Sequence, residues 1–250
     1  ITSQHGTHNV VPSKSGKFFL DYYSSTDVAS AVDIQDDKGR EFERLYTADD
    51  PLKDYNIGTI ELGELKSEDG QTLYTRLIKP YNFDPNKKYP LLITQYSGPN
   101  SQQVKNSWGG VNWLNYLAQE GYAVACIDPR GTAARGEEFR KCTYMQLGKL
   151  ESDDMIAAAK WLAEKPFIDK QNIGIWGWSY GGFMSSLCIM KGNDIFTTAI
   201  AVAPVTHYKF YDSIYTERYM RTPKKKEKGY EENAPLNWAD KLKGNLLLCH

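Results

Sequence analysis

Six consecutive residues, Gly177-Trp178-Ser179-Tyr180-Gly181-Gly182, are the stretch of this sequence best suited to chemistry. They hold a serine in the G-x-S-x-G pattern, between an apolar run at Ile173 to Trp176 that reads as a strand and a helical stretch from Gly181 to Lys191. A serine on so sharp a strand-to-helix turn sits in strained backbone geometry with its hydroxyl exposed, and only glycine neighbours let the chain pass that closely. The start of the following helix turns free N–H groups and its positive dipole end toward the serine, which favours a developing oxyanion. The chemistry this implies is acyl transfer, with Ser179 as nucleophile and the Tyr180 backbone N–H as the first oxyanion donor. Taken alone the six residues are a glycine-rich packing turn. The strand before them and the helix after them favour the nucleophile.

The elements that must position Ser179 follow an alternating grammar from Tyr89 onward. Leu91 to Gln95, Ala123 to Ile127, Thr198 to Val202 and Asn245 to Cys249 read as further short apolar strands. Trp113 to Glu120 reads as a helix ending before Gly121, and a second helix runs from about Glu151 to Glu164, with Asp153 and Asp154 in its first turn and Pro166 beyond its end. Strands alternating with helices predict a mostly parallel sheet covered on both faces, an α/β domain. Ahead of it, Thr59 to Leu65 and Thr72 to Lys79 form a hairpin around Glu68-Asp69-Gly70. The first stretch reads as antiparallel β: Phe18 to Tyr23 and Ala31 to Gln35 are strands, with turns at Ser13 to Gly16 and Asp36 to Gly39. So few strands cannot close a core of their own and should pack on a larger structure.

Composition narrows the function classes. Hydrophobic residues make up 41% and charged residues 24% of the 250, the balance of a folded globular chain. With 30 Lys+Arg against 31 Asp+Glu, the formal charge of −1 argues against nucleic acid or an anionic membrane as partner. The basic cluster Lys224-Lys225-Lys226 with Lys228 is followed by Glu231 and Glu232 and reads as a solvated loop. No segment reaches the roughly 20 apolar residues needed to span a bilayer, and no signal peptide is read at the start. Cys126, Cys142, Cys188 and Cys249 contain no C-x-x-C pair, so no zinc site or dense disulfide framework is expected. Cys126 and Cys249, inside apolar runs, are expected as buried free thiols. Neither a metal nor another cofactor is called for.

Four separated strings, GWSYGG (177–182), TQYSGPNSQQ (94–103), IDPRGT (127–132) and AVAPVTHYKFYDSIYTERYM (201–220), together resemble the dipeptidyl peptidase IV branch of the prolyl oligopeptidase family of serine peptidases. GTHNVVPSKSGKFFLDYYSSTD (6–27) is similar to the end of that family's β-propeller. The resemblance implies an α/β-hydrolase fold over 46–250, preceded over 1–45 by the last strands of a propeller blade. It makes Ser179 the nucleophile and Tyr96 a side-chain oxyanion donor. Tyr96 also fits on physical grounds, because it ends the first strand of the α/β run, where hydrolases place the loop that completes the oxyanion hole. The resemblance further maps Tyr180, Val205, Tyr208, Tyr211 and Tyr215 onto a pocket for the penultimate residue, usually proline. Apolar walls suit a compact pyrrolidine ring that has no N–H. At Tyr208 the family pattern often has Trp. By spacing alone, Tyr208, Tyr211 and Tyr215 form a helical stripe that reads as core.

The implied activity is release of Xaa-Pro or Xaa-Ala dipeptides from peptide N-termini. The alternatives are another endopeptidase or esterase of the family, or a non-catalytic binding domain. Arg130 reads as a structural ion pair rather than a substrate ligand. The family analogy allows a homodimer and places the protein in the periplasm or outside the cell, leaving a cytoplasmic address open. A serine needs a base oriented by a carboxylate, in the order Ser, Asp or Glu, His. Of the histidines, His5 and His8 precede Ser179 and His207 comes before any suitable acid, so His207 reads as a surface or pocket-rim residue. Asp194, Asp212 and Asp240 do not fall in the acid's loop. The expectation is that acid and base lie beyond His250, with the hydrolase domain incomplete at its C-terminal end.

Overall fold

The computed structural model describes residues 2–110 and 112–250. The first four strands, β1 (Thr7–Pro12), β2 (Phe18–Ser24), β3 (Ala31–Asp36) and β4 (Glu41–Thr47), pair antiparallel in chain order. Turn chemistry fixes that order: the Asp36 carboxylate accepts the N–H groups of Lys38 and Arg40, folding β4 back on β3. Polar groups occupy the buried face. Arg44 forks onto the buried Asp33 at 2.7 and 2.9 Å, and Gln35 and His8 both reach the buried Asp21 at 2.8 Å. Four antiparallel strands are the unit of a propeller blade. The last of them runs two residues past the boundary expected at 45.

The second sheet has seven strands in the order β11-β10-β9-β7-β8-β6-β5. These are β5 (Ile60–Lys66), β6 (Thr72–Ile78), β7 (Tyr89–Thr94), β8 (Ala123–Asp128), β9 (Ile168–Trp178), β10 (Thr198–Val202) and β11 (Asn245–Cys249). From β8 to β11 the strands are parallel; the β5–β6 hairpin joins antiparallel to β8. This is the mostly parallel, helix-covered sheet of an α/β-hydrolase. Every residue of β8 is buried, as a strand covered on both faces should be.

The helices are α1 (Trp113–Gln119), α2 (Glu137–Lys141), α3 (Lys149–Ala163), α4 (Tyr180–Lys191), α5 (Ser213–Met220) and α6 (Glu227–Glu231). From Tyr180 to Met190, α4 is buried throughout, because it lies against β9 and β10 on one side and α3 and the 3₁₀ segment Pro235–Lys241 on the others. Its near-continuous apolar sequence fits that position.

Three expectations are corrected. Helix α3 starts at Lys149, so Glu151 and not Asp153 or Asp154 occupies its first turn. Gly148 permits the earlier start, taking φ 86° at the N-cap. The tyrosine stripe does not lie on one helix: Tyr208 begins a 3₁₀ turn, Tyr211 is extended, and Tyr215 is on α5 behind an Asp212 cap. Of the two thiols expected to be buried, Cys126 is and Cys249 is only half-buried. Lys228 lies on α6 and pairs with Glu232, while Lys224 to Lys226 remain exposed. Among the described residues no helix is long and apolar enough to cross a membrane, and no cluster of three or more His, Cys, Asp or Glu could hold a metal.

Candidate active site

Strand register brings the site together. Thr94 pairs with Trp176 and Trp178 with Val202, so the carboxyl ends of β7, β9 and β10 lie side by side. The residues that follow them, Tyr96, Ser179 and Ala203 to Val205, therefore meet at one edge, where open α/β sheets carry their sites.

Ser179 has φ 58° and ψ −113°, a left-handed conformation that a non-glycine residue adopts only when its surroundings impose it. Those surroundings are explicit. The Ser179 N–H donates to Val202 O at 2.8 Å and its carbonyl accepts from Phe183 N at 2.9 Å, tying the turn to β10 and to α4. A Cβ on Gly181 would come within 2.5 Å of Gln95 O, and one on Gly177 within 2.4 Å of Gly181 O. The glycines thus let the elbow close against the Tyr96 loop. As the first residue of α4, Tyr180 has an N–H with no intrahelical acceptor.

Tyr96 is half-buried, its ring 6.1 Å from that of Tyr180. Its loop is held by polar groups that sequence reasoning did not single out, the buried Gln95, Ser97 and Asp128 and the exposed Gln103. Gln95 donates to Gly181 O at 2.8 Å and to Ser185 Oγ at 3.1 Å, and accepts from Ser97 Oγ at 2.9 Å. Gln103 accepts the Tyr96 N–H at 2.6 Å, and the Asp128 carboxylate accepts the N–H groups of Gln103 and Val104 at 2.8–3.0 Å. Burial pushes the Asp128 carboxyl above its usual range despite these bonds. The signal for them lay in the strings already quoted, where polar residues flank an apolar strand.

The five pocket residues converge without all facing solvent. Ser179, Val205 and Tyr211 line one cleft of about 410 Å³, with Trp178, His207 and His250. Tyr180, Tyr208 and Tyr215 do not line it, and the first two are 2% and 5% exposed. The Tyr180 and Tyr208 rings are 6.2 Å apart, Tyr208 lies near-parallel to Tyr215 at 6.4 Å, and Tyr211 stands perpendicular to Tyr215 at 5.7 Å. The buried Tyr208 hydroxyl has no protein partner.

His207 is committed elsewhere. Its Nδ1 accepts the Lys209 N–H at 3.1 Å, which leaves the proton on Nε2, facing Glu231 at 3.4 Å. A neutral imidazole so arranged has no lone pair left to take a serine proton. Among the described residues no side chain hydrogen-bonds the Ser179 hydroxyl. Arg130 forks onto Asp154, which is fully buried, at 2.6–3.1 Å and reaches Asp69 at 2.5 Å; it is the structural ion pair expected.

Fold and elbow define an α/β-hydrolase. The prolyl oligopeptidase family model matches residues 111–250, more than half of the chain, and the chain belongs to that family. It is similar to the crystal structure of Porphyromonas gingivalis dipeptidyl peptidase 4, with TM-score 0.90 and 46% identity over 97% of this chain and 35% of that one. It is 39% identical to dipeptidyl peptidase 4 of Trichophyton equinum over 80% of this chain and 26% of the relative, and 45% identical to prolyl endopeptidase FAP of Mus musculus over 70% and 23%. The chain thus spans about a quarter of the length of the curated relatives it matches.

Proposed function

We propose that this chain carries the nucleophile, oxyanion donors and proline pocket of a serine exopeptidase that releases Xaa-Pro or Xaa-Ala dipeptides from peptide N-termini. The observation that carries the proposal is the left-handed Ser179 at the head of a buried helix, beside Tyr96 and a cluster of four further tyrosines. In the reaction Ser179 Oγ attacks the carbonyl carbon of the penultimate residue while a general base takes the hydroxyl proton. The Tyr180 N–H and the Tyr96 hydroxyl donate to the oxyanion, which collapses to an acyl-enzyme as the protonated amine leaves. Water, deprotonated by the same base, then frees the dipeptide. His207 does not serve as that base, given its two existing bonds. The aromatic cluster with Val205 desolvates the proline ring at the cleft. No metal or cofactor enters this scheme. A periplasmic or extracellular address and a homodimer belong to the proposal on family resemblance alone.

The exopeptidase reading rests on the likeness to the two dipeptidyl peptidases; the likeness to the mouse prolyl endopeptidase supports a second, endopeptidase reading. One substrate pair separates them. In the full-length protein, an Xaa-Pro chromogenic amide with a free amino terminus should be cleaved and its amino-blocked form rejected, and Ser179→Ala should abolish both turnover and fluorophosphonate labelling. Cleavage of the blocked form would favour the endopeptidase. A folded protein that fluorophosphonate does not label at Ser179 would favour a binding domain.

A further inference from the structure

Glu151 is 1% exposed, in the first turn of α3, and belongs to none of the motifs that suggested the site. One carboxylate oxygen accepts the Gly148 N–H at 3.0 Å; the other accepts the Tyr180 hydroxyl at 2.7 Å. Gly148 sits at φ 86°, and a Cβ there would fall 2.5 Å from the Phe183 ring. The turn into α3 is thereby pressed against the aromatic cluster, which brings a helix-start carboxyl to a phenol on the next helix.

Such a pair is expensive for a core. Burial pushes the Glu151 carboxyl up to about 7 although it accepts hydrogen bonds from both Tyr180 and Gly148. A phenylalanine at 180 over an apolar residue at 151 would fill the same space with no buried polar group to satisfy. What the pair adds is orientation. Tyr180 is fixed at its backbone by the Ser179 elbow and at its far end by Glu151, and between these points its ring meets Tyr96 at 6.1 Å, Phe183 at 5.2 Å and Tyr208 at 6.2 Å. A directional hydrogen bond at the far end of the ring selects one ring orientation, which apolar packing alone does not.

We infer that Glu151 is a positioning residue of the Ser179 site: by anchoring the Tyr180 phenol it sets the wall against which the penultimate side chain packs, and so the preference for proline over alanine there. This rests on the reading of Tyr180 as pocket wall and oxyanion donor. A merely structural Glu151 would affect both substrates alike.

The test uses Glu151→Gln, Tyr180→Phe and the double variant in the full-length protein, with kcat and KM measured on matched Xaa-Pro and Xaa-Ala amides. Each single variant should lower the Pro-to-Ala ratio of kcat/KM by about tenfold, ~1.4 kcal/mol, mainly through KM for the proline substrate. In the Tyr180→Phe background, Glu151→Gln should change the ratio no further. A ratio within about twofold of wild type in a folded single variant, or an equal further loss in the double variant, overturns the inference. If Glu151→Gln does not fold, Tyr180→Phe, which retains the carboxyl, carries the same expectation and the same refutation. Should the wild type cleave only amino-blocked substrates, the exopeptidase reading fails separately and the ratio is taken on the blocked pair.

Discussion

In the proposed mechanism Tyr96 and Glu151 each act on the site through a single atom, and each gives a prediction at that scale. The Tyr96 hydroxyl is the only part of that side chain asked to donate to the oxyanion, while its ring remains packed against the core. Tyr96→Phe should therefore lower kcat by about 10²–10³ with KM little changed, as removal of an oxyanion donor does elsewhere; steady-state kinetics on an Xaa-Pro amide checks it. For Glu151 the prediction concerns pH and stability. Its carboxyl is raised from 4.5 to about 7 on folding, so between those values the folded chain holds a proton that the unfolded chain releases. This group's contribution to stability consequently falls as pH rises through that window, and levels off above it. Urea unfolding across the window should show that slope in wild type relative to Glu151→Gln; a flat difference curve would exclude it. Cys126 and Cys188, whose thiols burial pushes up to about 12, play no part in this range. The Ser179 turn and the place of Tyr96 just past the end of β7 were legible in the sequence because their motifs are local. Glu151 was not, because its partner is Tyr180, far along the chain, and a glutamate near a helix start reads as ordinary capping.

At the scale of elements, the elbow depends on how closely α4 approaches the end of β7. Gly181→Ala would put a Cβ 2.5 Å from Gln95 O, a backbone atom that cannot step aside without moving the Tyr96 loop. The variant should lose most Ser179 labelling by fluorophosphonate while circular dichroism shows the sheet retained. A second prediction concerns the tie between the β8 end and α3. Arg130→Ala would leave the fully buried Asp154 carboxyl without its cation, a loss of about 3–5 kcal/mol by denaturant unfolding. KM of the surviving folded enzyme should not change, which separates an ion pair from a substrate contact. Among the strands, β10 and β11 have the expected bounds, because short apolar runs carry a strong local signal. Helix ends were read less well. The start of α3 depends on Gly148 fitting against Phe183, and the break between Tyr208 and Tyr215 depends on an Asp212 cap, contacts that a periodicity count does not contain.

Across the whole molecule the two sheets are joined at Asn106, whose carbonyl accepts from Thr7 Oγ1 at 2.8 Å and whose side-chain oxygen accepts the Thr26 N–H at 3.1 Å. Asn106→Ala removes the second bond, worth about 1 kcal/mol, and should speed amide exchange at Thr26 with little effect on β7 to β10. Equal exchange rates at Thr26 would show that bond to be dispensable. The sequence by itself determined the alternation of strand and helix, the serine at one strand-to-helix junction and, through four strings in order, the family. Those features are local patterns of polarity and glycine placement, which a chain records whether or not it is folded. Tertiary structure alone decided which groups serve the serine's surroundings. It bound His207 to Lys209 and Glu231, drew Gln95, Gln103 and Asp128 beneath Tyr96, and set a buried carboxylate against Tyr180. The physical reason is that hydrogen bonds between residues distant in sequence follow from strand order and helix packing, and neither is written in any one segment.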